Sequence, residues 1–262
     1  MLLRHRELRC ISGAALLLVA SCSPPAERQE REAPPKPSRP QPTVRFEQEL
    51  DREDIILRAL HAITSAALGQ DDRTAQAQLK GRKFAVRMRF GCPGLTNPAR
   101  SLNYDGKEQV LRVSVQSDLT DQPLPASDLI RQKYEGAVGF ILGQPWLLTA
   151  GCPSPAFAGM SGGQPTIILA QLFTAEESRA QRPGAKYQLT KAVKPEQAPQ
   201  HGLDLVVSGR LAELADGRPI HCAAADGAPA CIVAAKIDRV AVVDPDSDEA
   251  IGEWSLGLGP AR

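Results

Sequence analysis

The sequence predicts an α+β fold that combines an N-terminal amphipathic helix, a mostly antiparallel β-sheet and a C-terminal β-meander. Three patterns support this class. Apolar residues recur at near-helical spacing within 46–69, and they alternate with polar residues within 83–90 and 109–117. The C-terminal part of the chain, from residue 203, divides into short apolar runs separated by turn residues, as in all-β segments.

The predicted N-terminal helix covers residues 46–69. Its apolar positions lie on one side of a helix, and Gly69 follows as a stop signal. A shorter helix is predicted within 72–80. The apolar positions of the longer helix are Leu50, Ile56, Leu57, Leu60 and Ile63.

The strand at 83–90 is the clearest in the chain, because Phe84, Val86, Met88 and Phe90 alternate with polar residues and share one face. A second alternating strand is predicted at 109–117, and the residues NYDG before it predict a turn at 103–106. The other predicted elements are a short helix at 127–134, buried strands at 136–150 and 165–174, meander strands at 203–214, 218–222, 231–243 and 250–256, and turns at 216–217 and 244–248. A candidate domain boundary near residue 198 divides the body into 46–198 and 199–262. These two segments are expected either to form two units or to belong to one domain.

The first residues have the pattern of an export signal. Residues 1–9 are basic, and residues 10–20 carry no charge and are too few to span a bilayer. The residues Val19-Ala20-Ser21-Cys22 resemble the lipobox of bacterial lipoproteins. This resemblance implies that residues 1–21 are removed and that Cys22 carries a lipid anchor. By analogy with Gram-negative lipoproteins, Ser23 implies an outer-membrane protein that faces the periplasm. An ordinary signal peptide cut before an unmodified cysteine is the alternative.

Residues 22–45 are predicted to form the tether of such an anchor. They contain seven prolines among alternating Glu and Arg, with almost no apolar side chain to bury. Such a segment extends by about 3.1 Å per residue as a semi-rigid spacer. It would hold a folded body away from the lipid headgroups.

The composition of the body excludes some classes of function. The whole chain has a formal net charge of +1, and the signal segment contributes three arginines and one glutamate, so the mature chain is close to neutral. This gives no support to nucleic-acid binding. Aromatic residues make up only 4% of the chain, which counts against a carbohydrate-binding module. No cofactor is expected.

Four cysteines remain besides Cys22, and an even number in an exported chain predicts disulfides. Three pairings are possible. Cys92 and Cys152 share a local pattern, FGCPG and AGCPS, while Cys222 and Cys231 flank a short loop. We therefore expect the pairs Cys92–Cys152 and Cys222–Cys231. The spacing of His221 and these cysteines matches no zinc template.

Ser161 is the candidate nucleophile of the chain. It lies in GMSGG, residues 159–163, which fits the pattern G-x-S-x-G of the nucleophile elbow. An elbow requires a strand before the serine and a helix after it, whereas here a proline-containing loop precedes it and an apolar β-like run follows. The segments WLLTAGC and GMSGG also resemble trypsin-like proteases, but Gly151 occupies the place of the catalytic histidine. A glycine-rich turn is the preferred interpretation.

The acidic segment DPDSDEAIGEWS, residues 244–255, is the candidate metal site. Asp244, Asp246 and Asp248 match positions 1, 3 and 5 of an EF-hand loop. Glu249 stands in place of the required glycine, and Ser255 stands in place of the bidentate glutamate. The segment is better explained as a hairpin turn, with calcium as the alternative.

Lys83, Arg87 and Arg89 form the polar face of the strand at 83–90 and are the candidate binding residues. A basic sheet face can attract an anionic envelope polymer. It can equally be a solvated face that keeps an edge strand from aggregating.

The sequence thus predicts a lipid-anchored cell-envelope protein that binds or scaffolds a partner without catalysis. Its partners would be the membrane, through Cys22, and an anionic polymer or another envelope protein. The alternative is a lipid-anchored serine hydrolase that uses Ser161.

Overall fold

The computed structural model describes residues 48–119, 128–158, 164–177, 186–225 and 227–256. The predicted signal segment and tether, including Cys22, and the motif around Ser161 lie outside these residues. The described residues belong to one compact unit. Within the described part of the chain, no helix is long and apolar enough to cross a membrane.

The first helix, α1, spans Arg52–Ala67 and begins where Asp51 caps it. The Asp51 carboxylate accepts a hydrogen bond from the Asp54 amide at 3.0 Å, and the Asp54 carboxylate accepts one from the Asp51 amide at 3.3 Å. This capping box satisfies two amides that a helix start leaves without partners. The cap explains why the helix starts later than predicted.

The buried face of α1 agrees with the predicted one at Ile56 but not at Leu57 and Leu60. Leu50, which precedes the helix, is also buried. Leu57 and Leu60 are 48% and 37% exposed, whereas the fully buried residues are Ile55, Ile56 and Ala59. The small side chain of Ala59 lets the helix approach a disulfide, because both Cys222 and Cys231 place their sulfur atoms 3.8 Å from the Ala59 carbonyl oxygen. The buried face of α1 thus packs on the disulfide as well as on the apolar side chains of the core.

The other elements are mostly strands and agree closely with the alternation of the sequence. The strand β1 coincides with the predicted segment 83–90. The elements are α2 (Arg73–Ala77), β1 (Lys83–Phe90), β2 (Arg100–Asp105), β3 (Val110–Gln116), α3 (Asp128–Lys133), β4 (Gly136–Ile141), α4 (Pro155–Ala158), β5 (Thr166–Phe173), β6 (Lys186–Ala192), β7 (Leu203–Leu211), β8 (Ile220–Ala225), β9 (Ala228–Val243) and β10 (Ala250–Ser255).

The larger sheet is organised around β9, which is 16 residues long. The first part of β9 pairs with β8 and β5, and the second part pairs with β7 and β10. The path through the sheet is β1-β7-β9-β5-β4. The pair β5–β9 is parallel and the other described pairs are antiparallel, so the sheet is mixed.

A register shift marks the middle of β9, where β7 changes its pairing between Ser208 and Gly209. A Cβ atom at Gly209 would collide with the backbone oxygen of Lys236. Glycine is therefore required at this bulge, as expected where two backbones approach closely.

The smaller sheet has the order β2-β3-β6 and is antiparallel. The turn between β2 and β3 follows Asp105, because β2 itself contains most of the segment predicted as a turn. Immediately after β3, the Ser117 hydroxyl hydrogen-bonds the backbone nitrogen and oxygen of Gly139 at 2.9 and 3.0 Å, which joins this segment to β4. The apolar faces of both sheets and α1 share one hydrophobic core.

The α+β class is supported, but two finer predictions differ from the structure. The C-terminal strands do not form a simple meander, because β7 pairs with β1 and β9 rather than with β8. The predicted strand 136–150 ends at Ile141, and residues 143–151 form a loop. The larger sheet also draws strands from both sides of residue 198, so the segments 46–198 and 199–262 share it.

Candidate functional site

A cavity of about 130 Å³ lies beside the end of β1, between the loops 91–97 and 143–151. Three arginines contribute to its wall: Arg52, Arg89 and Arg100. The apolar part of the lining consists of Met88, Phe90, Leu95 and Leu147, and we call the whole feature the arginine cavity.

A disulfide joins the two loops that enclose the arginine cavity. Cys92 and Cys152 are bonded to each other across 60 residues of sequence. The first loop leaves β1 through Gly91, whose φ is +71° and whose position a Cβ atom could not occupy without colliding with Leu102. The expected pairing of Cys92 with Cys152 is thus the one in the structure, and so is the pairing of Cys222 with Cys231.

Arg52, the first residue of α1, is a buried cation with an exposed fraction of only 6%. It donates hydrogen bonds to the carbonyl oxygens of Gly143 at 2.6 Å, Leu147 at 3.0 Å and Gln144 at 3.2 Å. None of the described carboxylates lies within ion-pairing distance of Arg52. Among the described residues, its guanidinium is therefore hydrogen-bonded only to carbonyl oxygens.

Burial lowers the pKa of the Arg52 guanidinium to about 10, with Arg100 as a second cause and Asp204 opposing the shift. A buried charge without a counter-ion is costly, and a second cation nearby adds to that cost. Both effects would be relieved by an anion in the cavity.

Arg100, the first residue of β2, is also 6% exposed. One of its terminal nitrogens, Nη2, pairs with the Asp118 carboxylate and also donates to the carbonyl oxygen of Ile141 at 3.1 Å. Its Nε atom is buried and has no hydrogen-bond partner among the described residues. A buried donor without a partner costs about 1–3 kcal/mol, so such an atom calls for an explanation.

Arg89 is the most fully paired of the three arginines. Its Nε donates to Asp204 at 2.6 Å, and its Nη1 donates to the carbonyl oxygen of His201 at 3.1 Å. Asp204 is only 3% exposed, which makes this ion pair a buried one. Arg89 therefore adds shape to the cavity but little net charge.

The charges around the arginine cavity do not cancel. Three guanidinium groups face two carboxylates, those of Asp118 and Asp204, and one positive charge remains. Arginine presents donors in a planar fork that matches oxyanions. The arrangement can therefore hold an anion.

The predicted basic face of β1 is divided by its ion pairs. Arg89 lines the cavity, while Arg87 pairs with Asp248 at 2.6 Å and lies 3.6 Å from Asp204. Lys83 is exposed and lies opposite Arg210 of β7. The three predicted binding residues thus have different surroundings, and their role in binding stays a prediction.

The acidic segment after β9 forms the predicted hairpin turn, which joins β9 to β10. Its carboxylates take separate partners. Asp244 accepts from the Asp246 amide at 2.9 Å, Asp246 contacts His201 at 3.2 Å, and Asp248 pairs with Arg87. Among the described residues, no three His, Cys, Asp or Glu side chains are grouped so as to hold a metal ion.

A second polar cluster lies beside α2 and ties it to β8. Arg218 donates to Asp216 at 2.7 Å, and His221 lies 3.0 Å from the same carboxylate. Burial raises the pKa of Asp216, but the hydrogen bonds from Arg218 and His221 outweigh burial and hold that pKa below its usual value. The Gln76 amide oxygen accepts from the Ile220 backbone at 2.8 Å, so the cluster stabilises the attachment of α2.

Sequence reasoning missed Arg52 and Arg100. Arg52 stands among acidic residues and Arg100 in a polar stretch, and their partners lie 18 to 95 residues away along the chain. The available signal was the pairing of Cys92 with Cys152, which predicted that the two loops of the cavity meet. Ser161 and Cys22 lie outside the described residues, so their roles stay predictions.

Comparison of the chain with protein-family models, with curated proteins and with solved structures finds no significant match.

Proposed function

We propose that this chain is a lipid-anchored cell-envelope protein whose folded body binds an anionic group in the arginine cavity without catalysing a reaction. The anchor rests on the lipobox resemblance at residues 19–22 and on the proline-rich tether. The observation that carries the binding function is Arg52, a buried cation that faces a cavity and has no carboxylate partner in the described structure.

Binding is favoured over catalysis by the composition of the wall. The described lining contains arginines, amides, threonines, glycines and apolar side chains, but no His, Asp, Glu or Lys. Its cysteine, Cys92, is in a disulfide. Acid–base and nucleophilic catalysis need a proton acceptor or an activated nucleophile within hydrogen-bonding reach, and this wall supplies neither.

The proposal is tested by the thermal stability of the oxidised body in increasing acetate or phosphate, with chloride keeping the ionic strength constant. A ligand at a hundred times its Kd stabilises the folded state by about 2.7 kcal/mol. For a body of this size, each kcal/mol raises Tm by about 2–4 °C. We expect such a rise for the wild type with at least one of the two anions.

Two variants make the test specific. Arg52→Gln removes the positive charge that has no carboxylate partner. Even if this variant has a different Tm without anion, its Tm should no longer rise as acetate or phosphate is added. Arg112→Gln is the matched control, because Arg112 is half exposed and pairs with Glu108 on the surface. An equal response of wild type and Arg52→Gln would contradict the proposal, as would no response in the wild type.

A further inference from the structure

The ligand class of the arginine cavity follows from its charge, its donors and its size. We infer that the cavity takes a singly charged carboxylate attached to a short apolar group. The inference rests on the proposed function. Two sources offer this chemistry: a free short-chain carboxylic acid and the C-terminal residue of a peptide.

The charge argument favours a single negative charge. Asp118 and Asp204 already neutralise two of the three guanidiniums, which leaves one positive charge for the ligand. A carboxylate carries one negative charge at neutral pH, whereas a phosphate monoester carries about 1.5 to 2. A dianion would leave excess negative charge in a partly enclosed space, where charges are poorly screened.

The donors argue for a small planar group. The hydrogen bonds of Arg52 to described residues use Nε and Nη2, and those of Arg100 use Nη2, so the Nη1 of each is left without a described partner. Neither Nη1 is enclosed by protein, whereas the unpartnered Nε of Arg100 is. Each of these two arginines therefore keeps a donor for a ligand. Two oxygens of one carboxylate can accept from both, which is the arrangement typical of arginine–carboxylate recognition.

The size and the lining limit what is attached to the carboxylate. An apolar cavity of about 150 Å³ holds benzene, so a cavity of about 130 Å³ holds roughly five or six non-hydrogen atoms. This limits the bulk of the group next to the carboxylate, while a longer chain can leave through the open side of the cavity. Met88, Phe90, Leu95 and Leu147 provide apolar contact beside the arginines. Gly143 and Gly151 have open space where a Cβ atom would stand, which leaves room for a backbone-like group to approach closely.

The test is isothermal titration of the oxidised body with four probes: isobutyrate, N-acetyl-alanyl-alanine, inorganic phosphate and adamantane-1-carboxylate. We expect isobutyrate or the dipeptide to bind at least tenfold more tightly than phosphate and the adamantane acid. Isobutyrate alone would identify a free acid as the source. Tighter binding of the dipeptide would identify a peptide terminus.

The outcomes separate this inference from the proposed function. Phosphate binding more tightly than both small carboxylates would overturn the inference and leave the proposed anion site intact. Equal binding of isobutyrate and the adamantane acid would also overturn it, because the size limit would fail. No heat with any probe would contradict both proposals.

Variants show whether the heat comes from this cavity. Arg52→Lys keeps a positive charge but removes the planar guanidinium with its paired donors. It should therefore weaken isobutyrate binding at least tenfold. Arg112→Gln should bind as the wild type does. Unchanged binding by folded Arg52→Lys would overturn the assignment to Arg52.

Discussion

The guanidinium of Arg52 donates from Nε to the carbonyl oxygen of Leu147 over 3.0 Å and so ties the first turn of α1 to the loop 143–151. The same side chain holds the carbonyl of Gln144, whose φ of +48° is a left-handed conformation that costs a non-glycine residue about 1–2 kcal/mol. Arg52 thus supports the shape of the cavity as well as its charge.

Anion binding should weaken as the pH rises through the pKa of Arg52, about 10. Below this pH Arg52 is protonated and the cavity keeps its net positive charge, and above it that charge is lost. Simple linkage predicts a loss of affinity of about twofold at pH 10 and about fourfold at pH 10.5. Titrations of isobutyrate from pH 8 to 10.5 would measure this, with circular dichroism to check that the protein stays folded. Constant affinity up to pH 10.5 would contradict the role of Arg52.

Replacing Asp204 with Asn should destabilise the body strongly. Asp204 is buried and accepts from Arg89, so its loss leaves a guanidinium without its counter-ion, which costs about 3–5 kcal/mol. The matched control is Asp248→Asn, because Asp248 pairs with Arg87 but its side chain is 71% exposed. An exposed pair contributes about 0–1 kcal/mol. Urea unfolding of both variants checks the difference, and equal losses would show that burial of Asp204 does not matter.

The two disulfides should contribute different amounts to the free energy of unfolding. The loop of Cys92–Cys152 spans 60 residues and that of Cys222–Cys231 spans 9. From the entropy of loop closure, replacing Cys92 and Cys152 by Ser should lower the free energy of unfolding by about 4 kcal/mol, and replacing Cys222 and Cys231 should lower it by about 2.7 kcal/mol. Removing Cys92–Cys152 should also weaken anion binding, because it frees the two loops of the cavity.

Peptide mapping without reduction would check the pairing. A peptide that joins Cys92 to Cys152 is expected. A peptide that joins Cys92 to Cys222 would contradict the structure.

The lipid anchor makes a separate prediction. In a bacterial host, Cys22→Ser should block lipidation and leave a precursor that migrates as a larger species than the mature protein. Metabolic labelling with palmitate would measure the effect, with Cys92→Ser as the control that keeps its label. Undiminished label in Cys22→Ser would exclude Cys22 as the site of the anchor.

The parts of the fold that were predictable from the sequence depend on local pattern. The alternation of 83–90 predicted β1, and the acidic turn after residue 243 predicted the β9–β10 hairpin. The cysteines could be paired because Cys92 and Cys152 share a local sequence pattern, while Cys222 and Cys231 flank a short loop. The bounds of α1 were less clear, since only the capping box shows that it starts at Arg52.

The cavity could not be predicted, because it depends on contacts between distant segments. Residues 136–150 are apolar enough to indicate one long strand, yet the chain leaves the sheet after Ile141 and adopts a left-handed conformation at Gln144 before Pro145. The burial of Arg52 follows from that loop. An arginine flanked by acidic residues at a helix start looks exposed in the sequence, and only the fold brings it under the loop.

Anion binding in the arginine cavity is tested most directly by the nitrogen-15 NMR spectrum of the arginine Nε–H groups during titration with isobutyrate. If the cavity binds an anion, the Arg100 Nε–H resonance should shift and saturate, because the same guanidinium gains a charge-assisted hydrogen bond at Nη1. The Arg112 resonance should stay in place. A spectrum in which Arg100 does not respond, or in which all arginines shift together without saturation, would contradict an anion site at the arginine cavity.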